Sequence, residues 1–155
     1  MATSSPNPTY GDQYLKLALN IAAVAHAGVS RRGTGEPYEK HVYRVVDGVH
    51  GWRQKTIAAL HDVIEDSHDP VEMEAALRQF FPDDIIDDVM RLTRPRDVTY
   101  ADFIERICDG NEDTRTVKLA DINDNLADID DQPGFRNMKI RYLKAKARIE
   151  ETLTP

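Results

Sequence analysis

Apolar residues along the chain recur at helical spacing and almost nowhere in alternation. Between Tyr10 and Ala27 they fall at Tyr14, Leu17, Ile21, Val24 and Ala25, the stripe of a helix rather than the period of two that marks a half-buried strand. The pattern predicts further helices over 38–49 and 53–65. Pro70 and Pro82 stand where proline is favoured, in the first turn, and begin segments expected to be helical as far as Phe80 and Leu92. Three more helices are expected over 100–107, after the Arg94-Pro95 break, over 113–129 and over 134–153. Between the first two helices, Gly33, Gly35 and Pro37 make SRRGTGEPY a loop. No stretch alternates between hairpin turns, so no sheet is called for. The expectation is one all-α domain of about seven or eight helices over 10–155, behind a frayed, proline-bearing tail over 1–9.

Composition narrows the function classes. The 155 residues are 41% hydrophobic and 30% charged, as in a globular domain and unlike a disordered chain. The single cysteine, Cys108, excludes an intramolecular disulfide framework and cysteine-rich zinc sites. No apolar run is long enough to span a bilayer, and Met1–Pro8 lacks both the basic and the apolar region of a secretory leader. A cytoplasmic protein with no membrane partner is therefore expected. With 27 Asp+Glu against 20 Lys+Arg the net charge is −7. That balance disfavours holding a nucleic acid polymer by its phosphates, so a small phosphorylated ligand needs local bases or a metal ion. The bases are segregated: Arg136, Lys139, Arg141, Lys144, Lys146 and Arg148 follow one another on the last helix with no acid between them.

Four residues carry candidate metal chemistry. His61-Asp62 sits in the apolar string IAALHDVIED, where a carboxylate is costly unless paired or bound to a cation. On a helix running to 65, Glu65 and Asp66 would each lie four residues beyond a member of that pair, as site groups or as a solvated helix end. Asp121 is likewise set among apolar neighbours in VKLADI, either as a buried acid or as a surface acid paired with Lys118, and Asn125 shares its face. Asp124 and Asp128 read as solvated positions. His41, at the start of the second helix, is either a structural hydrogen-bonder, the commoner part for a lone histidine there, or the member that completes a set of two imidazoles and two carboxylates. That donor mix suits Mn²⁺, Fe²⁺ or Zn²⁺ better than Ca²⁺. Arg31 and Arg32, in the glycine-bearing loop, are either solvated surface arginines or planar donors suited to phosphate or to stacking on a base.

The strings HAGVSRRGTGEPYEKH, AALHDVIED and VKLADINDNL, in that order, resemble the HD-domain hydrolases of the RelA/SpoT type. They are most similar to the stand-alone small alarmone hydrolases, the metazoan SpoT homologue among them, from about Tyr10 to about Leu153. The resemblance implies an all-α HD bundle with one Mn²⁺ held by His41, His61, Asp62 and Asp121. It implies that Glu65 and Asp66 orient or deprotonate the attacking water and handle leaving-group protons. Arg31, Arg32, Asn125 and, on the last helix, Tyr142 would contact the substrate. The implied reaction removes the 3′-pyrophosphate of a guanosine polyphosphate, ppGpp or pppGpp, to leave GDP or GTP, and 155 residues would leave no room for an attached synthetase. Other small nucleotides (ppApp, NADPH or a nucleoside monophosphate) are the alternative substrates, and a non-catalytic nucleotide-binding module is the alternative class. Val29-Ser30 stands where the family commonly has Gln-x, Arg32 where lysine is usual, and no proline follows His41. Asp124 stands where it has histidine or tyrosine, and Ala127-Asp128 where Arg-Thr or Arg-Asp often follows. The added acids are expected to weaken binding of a multiply phosphorylated ligand.

Overall fold

The computed structural model describes residues 10–129 and 132–153; the expected tail over 1–9 lies outside them. Among the described residues the elements are α1 (Tyr10–Ala25), α2 (Tyr38–Asp47), α3 (Gly51–Leu60), α4 (Pro70–Arg78), α5 (Asp83–Arg91), α6 (Tyr100–Cys108), α7 (Glu112–Ile129), a 3₁₀ turn (Pro133–Phe135) and α8 (Arg136–Leu153). No strand occurs among them; an isolated bridge joins Ser30 to Pro37. The all-α expectation of seven or eight helices is met. None of these helices is long and apolar enough to cross a membrane.

Helix α3 is the axis of the molecule. Thr56, Ile57, Ala58, Ala59 and Leu60 are all buried, as in a helix covered on every side rather than along one stripe. Its neighbours are α1, α2, α5 and α7. The apolar faces of α2 (Val42, Val45, Val46), α5 (Ile85, Ile86, Val89) and α7 (Val117, Ile122) close on it to form one core. Arg53, near the start of α3, pairs with Asp84, Asp88 and Asp113 and so ties α5 and α7 to it. The flanking helices are begun by local chemistry: Asp69 accepts the Glu72 amide at 3.0 Å ahead of α4, and Thr99 accepts the Asp102 amide at 3.1 Å ahead of α6. Caps of this kind contribute about 1 kcal/mol each.

Two sequence expectations are corrected. Val24, placed on the inner stripe of α1, is 79% exposed, and Ala18 and Ala22 face the core instead. Helix α3 stops at Leu60 rather than reaching Glu65. The Ala58 carbonyl accepts the His61 amide at 3.4 Å and the His61 ring Nδ1–H at 2.6 Å. With that acceptor occupied, the backbone tightens into i→i+3 turns, the Val63 amide reaching Leu60 O at 3.1 Å. His61-Asp62 therefore lies just past the end of the central helix, not within it. The separation of four between Asp62 and Asp66 survives as a single turn, closed by the Asp66 amide on Asp62 O at 3.0 Å.

Candidate metal centre and its clefts

Three elements deliver the four suspected ligands to one point. α2 supplies His41 (1% exposed), the turn after α3 supplies His61 and Asp62, and α7 supplies Asp121 (5% exposed). One donor atom each from His41, His61 and Asp62 lies within 4.8 Å of the others. Asp121 Oδ1 stands beside both histidines, 3.1 Å from His41 Nε2 and 3.5 Å from His61 Nε2. Asp62 Oδ2 is 2.9 Å from His61 Nε2 and 3.9 Å from His41 Nε2.

The donor set fits a divalent cation on its own geometry. His61 Nε2 is buried and, despite its two carboxylate neighbours, has no partner in hydrogen-bond geometry. A buried unpartnered ring nitrogen facing two carboxylates is an arrangement completed by a cation bound between them. The electrostatics agree. Burial disfavours the charged form of both histidines, but the carboxylates outweigh it and raise both pKa values, that of His61 strongly. Burial likewise opposes ionisation of Asp62 and Asp121, yet His61 holds Asp62 down to about 2 and Lys118 holds Asp121 well below the carboxylate range. The centre thus keeps two ionised carboxylates among protons that a metal would displace. Asp121 is both things the sequence allowed: a buried member of the cluster through Oδ1, and a partner of Lys118 through Oδ2 at 2.8 Å.

Two clefts open beside the cluster. The larger, about 640 Å³, is walled by Asp62, Asp121, Glu65, Lys118, Arg94, Arg96, Tyr100 and Arg141. The second, about 420 Å³, is walled by Arg31, Arg32, His26, Asp66, Asp128, Phe135 and Met138. Tyr38, Asn125 and Tyr142 line both and so mark where they meet. Tyr38 donates its hydroxyl to Asp62. Tyr142 packs edge-on against Tyr100, ring centroids 5.9 Å apart.

The structure separates Glu65 from Asp66. Glu65 faces the larger cleft with Asp62 and Asp121, whereas Asp66 faces the second. Desolvation raises the pKa of Glu65 against the opposing Arg94 amide; desolvation and the nearby charges of Asp62 and Glu65 raise that of Asp66 to about 6.

Arg31 is turned inward. Its side chain is 8% exposed, with Nη1 donating to Asp124 at 2.8 Å, Nη2 donating to Asn125 at 2.6 Å, and Nε 3.3 Å from Asp128. The loop imposes this: Gly33 and Gly35 adopt positive φ (102° and 72°), and the Arg31 amide bonds Glu36 O at 2.9 Å, closing a tight turn. Arg32 points out at the rim of the second cleft, exposed. Asp124 and Asp128, read from the sequence as solvated, are in fact largely enclosed. Asp124 bonds His41, Arg31 and Arg44, so its added negative charge is compensated within the protein.

Sequence reasoning missed Tyr38, His26, Arg44, Arg94 and Arg96. Tyr38 and His26 stood in the quoted motif strings, and the two arginines flank Pro95, but no spacing rule connects them to His61. Arg141 was legible only as one base of a basic helix.

No protein-family model matches the sequence, and no curated protein matches it. Among solved structures the fold is similar to that of a metazoan ortholog of SpoT, a protein described as hydrolysing ppGpp and acting in starvation responses. The TM-score is 0.77 at 21% sequence identity, over 96% of this chain and 88% of that one. The fold is therefore the helical one that the motif strings implied.

Proposed function

We propose that this chain is a metal-dependent alarmone hydrolase, removing the 3′-pyrophosphate of a guanosine polyphosphate. The observation that carries the reading is the clustering of His41, His61, Asp62 and Asp121, with His61 Nε2 buried and unpartnered, behind a cleft that Asp62 and Asp121 line together with Lys118, Arg94, Arg96 and Arg141. The shared fold with a ppGpp hydrolase supports it.

His41, His61, Asp62 and Asp121 would hold one divalent ion, Mn²⁺ by the resemblance, with Fe²⁺ and Zn²⁺ compatible with the same donors. Bound there, such an ion lowers the pKa of a water molecule and polarises a phosphoryl oxygen. The chain supplies the rest. Glu65, in the same cleft with its pKa raised by desolvation, would take a proton and pass it to the leaving oxygen. Asp66, titrating near 6, stands on the other side as a second proton acceptor. Lys118 stays charged because Asp121 outweighs its burial. With Arg94, Arg96 and Arg141 it offsets the charge of a polyphosphate in the larger cleft. The second cleft, with the exposed guanidinium of Arg32 and the ring of Phe135, suits a planar base, and Asn125 and Tyr142 lie where base and phosphates would join.

A nucleotide panel tests this reading: ppGpp, pppGpp, ppApp and NADPH, each with and without Mn²⁺. Turnover of the guanosine polyphosphates that needs metal is the expected result. Preferential turnover of NADPH or ppApp would move the substrate while keeping the class, and binding of all four without turnover would leave a nucleotide-binding module.

A further inference from the structure

The two metal-cluster histidines are oriented in different ways. An imidazole can present only one nitrogen as a lone pair toward a cation, and the hydrogen bond made by the other nitrogen decides which. For His61 that bond goes to the backbone, Nδ1 to Ala58 O at 2.6 Å. Among the described residues no backbone carbonyl takes this part for His41. Its Nδ1 lies 2.7 Å from Oδ2 of Asp124, while Nε2 faces Asp121 at 3.1 Å and Asp62 at 3.9 Å.

Asp124 is itself held. Its side chain is 12% exposed, Oδ2 accepts from Arg31 Nη1 at 2.8 Å, and Oδ1 accepts from Arg44 Nε at 2.6 Å. Arg44, one turn beyond His41 on α2, also pairs with Glu36 at 2.5 Å. A carboxylate fixed by two guanidinium groups is an acceptor with no proton to give, so it admits only the Nδ1–H form of the neutral ring.

We propose that Asp124 is the positioning residue of the metal centre: it fixes His41 with Nε2 turned toward Asp62 and Asp121, and Arg31 and Arg44 hold it in that place. Arg31 then serves the centre as a strut, and Arg32 is left as the cation of the loop that meets the ligand. The inference rests on the metal reading above and deepens it.

The test is metal affinity, read by competition with a chelator for Mn²⁺, with helicity as the check on folding. Asp124→Ala is expected to bind Mn²⁺ about 10- to 100-fold more weakly, the usual cost of losing such an outer partner. Asp124→Asn keeps an oxygen acceptor at the same place and should recover most of the loss. Arg44→Gln leaves Asp124 held by Arg31 alone and should weaken Mn²⁺ binding by less than Asp124→Ala does, whereas an unchanged affinity would remove Arg44 from the arrangement. A wild-type affinity in Asp124→Ala overturns the inference, as does an Asn variant no better than Ala. If Asp124→Ala does not fold, nitrogen-15 spectra of the wild-type chain loaded with Zn²⁺ decide: a protonated Nδ1 on His41 supports the proposal, and a metal-bound Nδ1 overturns it. A wild-type chain that binds no Mn²⁺ removes the metal reading as well, an outcome distinct from the loss of the Asp124 role alone.

Discussion

The backbone amide of Arg94 donates to Oε1 of Glu65 across 2.7 Å, fastening the loop after α5 to the turn after α3. A carboxylate in the larger cleft is thereby held in one orientation by a donor that is not a side chain. Glu65→Gln preserves that acceptor and removes the proton-accepting charge. It should bind Mn²⁺ as the wild type does and lose turnover by about 100-fold or more, the scale of a general base. Steady-state kinetics beside metal titration check this, and full activity in the variant would remove Glu65 from the chemistry.

Removal of a ligand should act on metal and activity together. Asp62→Ala and Asp121→Ala each take one carboxylate from beside the His61 and His41 nitrogens. In the wild type, Mn²⁺ at about 100 times its Kd should stabilise the fold by about 2.7 kcal/mol. The variants should show no metal-dependent rise in melting temperature, and none of the metal-dependent turnover.

The raised pKa of Asp66 makes a statement about stability whose sign is fixed. In the unfolded chain this carboxyl ionises near its ordinary value of 3.8, and in the folded chain at about 6. Between those values the unfolded state loses its proton first, so stability falls as pH rises through that window and stays lower above it. Asp66→Asn should therefore raise the melting temperature of the metal-free chain at pH 7, and the gain should vanish below about pH 4. Melting curves across that range give the answer.

Arg141 stands in the wall of the larger cleft, its guanidinium 5.3 Å from the centroid of the Tyr100 ring. If it meets a phosphate in ground and transition states alike, Arg141→Ala raises KM about tenfold or more and leaves kcat nearly unchanged. A loss confined to kcat would instead place it on the reacting group.

The sequence made most of the helices legible because they are announced locally, by an apolar stripe or by a proline at the first turn. Its errors lie where a side-chain hydrogen bond, near or far along the chain, decides. Helix α3 ends at Leu60 because the His61 ring takes a carbonyl that no periodicity reveals. Asp124 looks solvated on α7 because its partners, Arg31 and Arg44, stand 93 and 80 residues away. His61, Asp62 and Asp121 stood out as candidates because a histidine or acid among aliphatics is costly without a reason, whereas His41, a lone histidine at a helix start, carried no such signal. The cations of the cleft were not, since arginine and lysine are common on any surface and only the fold brings Arg94, Arg96, Lys118 and Arg141 to one opening.

The central claim concerns which bond is cut, and product analysis addresses it most directly. The chain is incubated with ppGpp and Mn²⁺, and nucleotide and phosphate products are resolved together. The account predicts GDP and pyrophosphate in equal amounts, with formation stopped by a chelator and absent in Asp62→Ala. Release of orthophosphate in place of pyrophosphate, or ppGpp left intact by metal-loaded wild-type protein, would contradict it.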